Sequence, residues 1–316
     1  MSASPPATPP LDGILGAIVI GAVVGTFLFG IGTLQTYHYY RRYSSDSKAL
    51  KTLVGALWFM ELGHSISIWH TLYQIVVTFF GQLPHILNPP HSVSMSVLFA
   101  ALSTGAVQTF YAFRIRRLSG HWFIPIICFL LTAARFSFNV LMLITFWTSS
   151  SGFELMKTRL HWAMISVSSL APSVDILTAG SLCFYLWKIR SRGGHIGQTR
   201  TMLDTLILWS VETTTITSAA GILQLILFLS RPDLAWMALF LIQPKLFSNS
   251  ILAHLNGRQR FRKAPTVHNL MGSGNYDPRV ATQDVGVVFR METISESGRD
   301  IQANSVEKTG HISQLV

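Results

Sequence analysis

The chain has 316 residues, 49% of them apolar and only 12% Asp, Glu, Lys or Arg, with a formal net charge of +10. Residues 1–256 hold 16 Lys/Arg and 8 Asp/Glu. That is about 9% charged, against roughly 25% in soluble domains. This argues against a soluble enzyme and against a nucleic-acid partner. The positive balance is expected instead in loops facing anionic headgroups of a cytoplasmic leaflet.

Residues 1–12 carry no Lys or Arg, so they lack the positive region of a cleavable signal peptide. Seven apolar segments then follow, at about 13–36, 53–79, 93–113, 122–147, 162–187, 203–229 and 234–255. Each reaches the ~20 residues needed to cross a bilayer. Lipid offers no partner to backbone N–H and C=O groups, so each is expected to be a helix. The runs lack the period-two alternation of barrel strands. The expected fold is therefore all-α, an integral membrane bundle of seven transmembrane helices.

Basic residues suggest its orientation. Arg41, Arg42, Lys48 and Lys51 follow span one, and Arg114, Arg116 and Arg117 follow span three. Lys188, Arg190, Arg192 and Arg200 follow span five, and Arg258, Arg260, Arg262 and Lys263 follow span seven. The opposite loops hold Lys157, Arg159 and Arg231. The rich side is expected in the cytoplasm, which places the N-terminus outside. The organisation is then a short outer N-terminus (1–12), a membrane domain (13–256) and a mostly disordered cytoplasmic tail (257–316). Residues 290–297 of that tail are a candidate phosphorylation stretch. Tyr37, Tyr39, Tyr40, Trp122, Trp147, Trp162, Trp187 and Trp236 fall at span boundaries, as an interfacial belt requires. Cys128 and Cys183 lie inside apolar runs and read as small buried hydrophobes rather than a disulfide framework.

Span one places Gly13, Ala17, Gly21 and Gly25 four residues apart on one face. Small residues at that spacing let helix backbones approach, either within the chain or across a homodimer. Pro172 and Pro244 are expected to kink spans five and seven.

The ionisable residues inside the spans are the candidate site. A charge at the bilayer centre costs about 2.5–3.5 kcal/mol even on the lenient insertion scale. Arg135, Asp175 and Lys245 lie near span midpoints. They are expected to face inward, with Asp175 pairing with Arg135 or Lys245. Glu61 and Glu212 lie nearer the cytoplasmic edge, available to the second cation or to protons. Inward faces are expected to combine Glu61, His64 and Ser65; Thr132, Arg135 and Asn139; and Lys245, Ser248 and Asn249. His70 lies further toward the outer side, near Tyr73. Such a core is either a polar pocket or relay, or an ion-pair network that sets helix register. The spacings of Glu61, His64 and His70 do not form the HExxH zinc motif. Span three lacks the acids a retinal lysine at Lys245 would call for. No metal, cofactor or catalytic motif is expected, and no enzyme activity.

Several segments together resemble a known family. They are Gly30–Tyr40 with Gln35 and Tyr37, Asp46 with Lys51–Val54, and His64, His70 and Tyr73. Gln108–Ser119 with Arg114, Asp175–Ile176, and Leu182–Leu186 continue the pattern. The most specific is Lys245–Arg258, with Asn249, Ser250, Asn256 and Arg258. The chain resembles a set of seven-span fungal proteins, chiefly from basidiomycetes, catalogued as domain of unknown function 6534. Phe247 and His254 depart mildly from its pattern, which has Tyr at the first position and Ser or Thr at the second. The resemblance implies the same seven-helix orientation and a structural role for the last motif, with Asn256 capping span seven. It implies no substrate or ligand. The leading functional expectation is a receptor-like or sensor membrane protein, the alternative a transporter or proton-coupled carrier using the intramembrane acids.

Overall fold

The computed structural model describes residues 11–82, 90–148, 158–192, 197–231 and 234–257. Expectations for the N-terminal decapeptide, for Arg258 and for the tail lie outside these residues. Among the described residues there are seven α-helices and no strand. They are α1 (Leu11–Arg42), α2 (Lys48–Tyr73), α3 (His91–Ser119), α4 (Phe123–Thr148), α5 (His161–Arg192), α6 (Gly197–Ser230) and α7 (Ala235–Gly257). Each apolar segment falls on one helix, and several helices run five or six residues beyond the segment at the end that carries basic residues. A π-helical turn, Gln74–Thr78, continues α2.

Local chemistry sets several of the ends. Ser47 caps α2, its hydroxyl accepting from the Leu50 N–H at 3.4 Å. Gly120 ends α3 at φ 75°, a left-handed position that disfavours any residue with a Cβ. Pro172 and Pro244 stay inside α5 and α7.

The helices alternate in direction. Trp58 Nε1 donates to Thr33 Oγ1 at 3.1 Å and Trp69 Nε1 to Thr26 Oγ1 at 2.8 Å, so α2 runs antiparallel to α1. Thr71 meets Ser92 while Glu61 meets Ser103, which turns α3 back again. α7 returns parallel to α1, and these two share the most extensive interface in the bundle. The glycine stripe explains their closeness. A Cβ on Gly21 would stand 2.9 Å from the Ala238 backbone, and one on Gly25 would stand 3.9 Å from Lys245 Cε. Gly21 and Gly25 therefore face α7 of the same chain.

The bundle is apolar outside and polar inside. Phe123 is 75% exposed and Lys245 1%. Glu61, His64, Arg135 and Asp175 are buried as well, while Phe27, Phe59, Leu130 and Leu208 stand on the perimeter. In water that arrangement would be strongly unfavourable, and in lipid it is the expected one. Five helices (α1, α3, α4, α5 and α6) are long and apolar enough to cross a membrane. α2 and α7 fall short in hydropathy because they carry the inward polar residues, among them Glu61, His64, Gln243, Lys245 and Ser248. The protein is thus a membrane helical bundle. In the aromatic belt, Trp122, Trp147, Trp162 and Trp187 are exposed as expected, but Trp236 and Tyr39 are buried. Trp236 packs edge-on against Phe228, and Tyr39 turns inward to bond Asp46 Oδ2 at 2.9 Å.

Candidate functional site

The polar interior has two parts. The first joins α2, α3 and α7. Lys245 Nζ lies 2.9 Å from Glu61 Oε2. It also donates to the Glu61 carbonyl at 3.0 Å and to Ser65 Oγ at 2.7 Å. Two of the three ammonium N–H donors thus make hydrogen bonds, and the charge stands in ion-pair contact with the carboxylate. Glu61 Oε1 accepts from Ser103 at 2.5 Å and from Ser248 at 2.6 Å. The void beside this cluster measures about 10 Å³, at the lower limit for one water. The pair is therefore dry and hydrogen-bonded on both partners, the condition under which a buried ion pair can offset its desolvation.

This corrects the expected pairing. Lys245 partners Glu61, not Asp175. Among the described residues no ion pair joins Asp175 to Arg135. Arg135 donates through Nη2 to Gln243 Oε1 at 3.2 Å and lies 5.7 Å over the Phe247 ring, while its Nε and Nη1 make no hydrogen bond within the protein. Asn139 is buried but donates only to the Arg135 carbonyl, one turn back on its own helix, at 2.9 Å. His64 is fully buried one turn from Glu61, with both ring nitrogens free of hydrogen bonds. Two candidates leave the interior altogether. Glu212 is exposed on the outer face of α6. His70 is exposed on α2, with Gln74 Nε2 at 3.5 Å.

The second part is a cavity of about 30 Å³ between α3, α5, α6 and α7, in the half of the bundle that ends at the basic loops. Asp175, Gln108, Thr217, Ser250 and His254 are in its wall. Thr217 and Gln108 stand beside the Asp175 carboxylate, whose Oδ2 is buried and accepts no hydrogen bond. Gln108 Nε2 is likewise buried and without a partner. His254 is committed at both nitrogens, Nδ1 at 3.3 Å from Arg114 Nη1 and Nε2 at 3.3 Å from Thr213 Oγ1. An arginine only donates, so Nδ1 accepts, and this pattern assigns the neutral Nε2–H tautomer.

The last motif proves to be a helix clamp. Asn249 Nδ2 donates to the Leu28 carbonyl at 3.0 Å and Asn256 Nδ2 to the Gln35 carbonyl at 2.9 Å. Both donors and both acceptors are seven residues apart, so the two bonds tie parallel α1 and α7 at successive double turns. Asn256 thus crosses to α1 instead of capping α7. Its own carbonyl accepts from the Tyr43 hydroxyl at 2.9 Å. Ser250 bonds its own helix at Leu246 O, 2.7 Å, and Tyr37 is exposed, held by Arg41 at 3.1 Å.

Sequence reasoning missed Ser103, Gln243 and the hydroxyl wall on α6. The wall had a signal, the run Thr213-Thr214-Thr215-Ile216-Thr217-Ser218 inside an otherwise apolar helix. Ser103 had none, because isolated serines are common in membrane helices.

The chain matches no curated protein and no solved structure. Residues 171–260 match a family described as Family of unknown function (DUF6534). That stretch runs from within α5 past the end of α7 and holds Asp175, Lys245, both clamp asparagines and most of the cavity wall. Over α5 to α7 the chain is therefore similar to this family of unknown function.

Proposed function

We propose that all seven helices cross the membrane, N-terminus outside, and that the protein is receptor-like or a sensor. The observation that carries this reading is the Glu61–Lys245 cluster. A carrier must expose its intramembrane charges to each side in turn. Here the cation is paired with the carboxylate and makes two hydrogen bonds, and the carboxylate is held by two serines, beside a void at the limit for one water. Such a cluster suits a two-state switch held in one state, where an outside event must break a defined set of bonds across three helices.

A second reading rests on Asp175. Its free carboxylate oxygen beside a cavity suits a proton-coupled carrier. Reconstitution separates the two. With a pH-sensitive dye trapped in proteoliposomes, the sensor reading expects no flux above empty liposomes under an imposed gradient. Flux that disappears in Asp175→Asn would establish the carrier instead. Glycosylation sequons placed in residues 1–10 and, separately, in the tail test the orientation. Modification of the tail sequon would reverse it.

A further inference from the structure

The cavity at Asp175 has an unusual charge balance. Among the described residues, Asp175 is the only formally charged one in its wall, since His254 is held as the neutral tautomer by Arg114 and Thr213. Arg135 is not part of the wall. It is turned to Gln243 and packed over the Phe247 ring, and Phe247 itself lines the cavity. Three hydroxyl groups of the wall direct their protons to their own helices. Thr213 directs its hydroxyl to the Trp209 carbonyl at 2.8 Å, Thr217 to Thr214 at 3.2 Å and Ser250 to Leu246 at 2.7 Å. Donation to a backbone carbonyl of the same helix leaves the hydroxyl oxygen as an acceptor on its other side. Gln108 adds an amide whose oxygen and nitrogen exchange places by a flip about its last torsion. The unpartnered, buried Asp175 Oδ2 completes the set.

We propose that this cavity is a binding site for a small monovalent cation, held by Asp175 and by oxygen atoms of Thr217, Ser250 and Gln108. Hard alkali cations take oxygen ligands, and a volume of about 30 Å³ accommodates one ion with a water. A single carboxylate matches the charge of a monovalent ion and falls short of the several carboxylates of a typical Ca²⁺ site. The Arg135 charge remains within electrostatic reach of Asp175 and opposes the cation, which weakens its binding. The site does not depend on whether the protein signals or transports.

The test is thermal unfolding of the purified full-length protein in detergent. NaCl, KCl and N-methyl-D-glucamine chloride are compared at one total ionic strength. A saturable rise in Tm with Na⁺ is expected, about 3–6 °C at ten times the midpoint concentration. The rise should vanish in Asp175→Asn. Thr217→Val keeps the volume and removes one ligand, so its Na⁺ midpoint should move several-fold higher. That variant decides the matter if Asp175→Asn does not fold. Equal Tm in NaCl and N-methyl-D-glucamine chloride overturns the proposal. So does a Na⁺ response that survives in Asp175→Asn, or an unshifted midpoint in Thr217→Val.

Discussion

Lys245→Met isolates the energetics of the buried pair. The substitution keeps the length and packing of the side chain but removes the ammonium that reaches Glu61 Oε2, the Glu61 carbonyl and Ser65 Oγ. Glu61 then keeps its two serine donors and loses its counter-charge in a dry site. Removing one partner of a buried pair costs about 3–5 kcal/mol. Glu61→Gln is milder, about 1.5–3 kcal/mol, because an amide oxygen still accepts from the serines and Lys245 keeps two acceptors. If the pair is real, the double variant is better than the sum of the singles by about 2–3 kcal/mol. Equilibrium unfolding in mixed micelles, followed by helicity and by tryptophan fluorescence, measures all four corners of the cycle. Additivity within about 0.5 kcal/mol would refute a direct pair.

Asp175→Ala is expected to cost less stability than Lys245→Met, since Arg135 has Gln243 and Phe247 as partners rather than Asp175; detergent stability and the folded yield rank the two variants, and the reverse order would point to a hidden Asp175–Arg135 pair. Asn249→Ala and Asn256→Ala each remove one bond between α1 and α7, worth about 0.6 kcal/mol in membrane proteins; about two turns apart, their effects should add, and a loss of several kcal/mol from either alone would contradict a simple clamp. Gly21→Ala should destabilise because its Cβ meets the Ala238 backbone, whereas Gly16→Ala and Gly30→Ala meet nothing within 4 Å and should be neutral or mildly favourable by thermal unfolding. In single-tryptophan variants, brominated lipids should quench Trp147, Trp162 and Trp187 and spare Trp236; strong quenching of Trp236 would place it at the lipid face.

The helical character and the approximate positions of the seven elements were legible in the sequence, because lipid imposes its requirements locally. A segment must be about 20 residues long and must satisfy its own backbone, and both conditions are written in consecutive residues. The burial of Glu61, Arg135, Asp175 and Lys245 followed from the same reasoning, since an ionised group facing lipid is too costly. Which cation meets which anion was decided by tertiary structure. Depth along the spans made several pairings equivalent, but pairing also depends on azimuth, which advances about 100° per residue, and on which helices are neighbours. Lys245 faces α2 and α3 and finds Glu61, while Asp175 faces α3 and α6 and finds Gln108 and Thr217. The same rotation turns Glu212 outward and Trp236 inward. The motif Asn249…Asn256 was visible as a pattern, but its meaning needed α1 beside α7. A side-chain amide can cap its own helix or bond the next one, and the close approach at Gly21 and Gly25 brings the carbonyls of Leu28 and Gln35 within its reach.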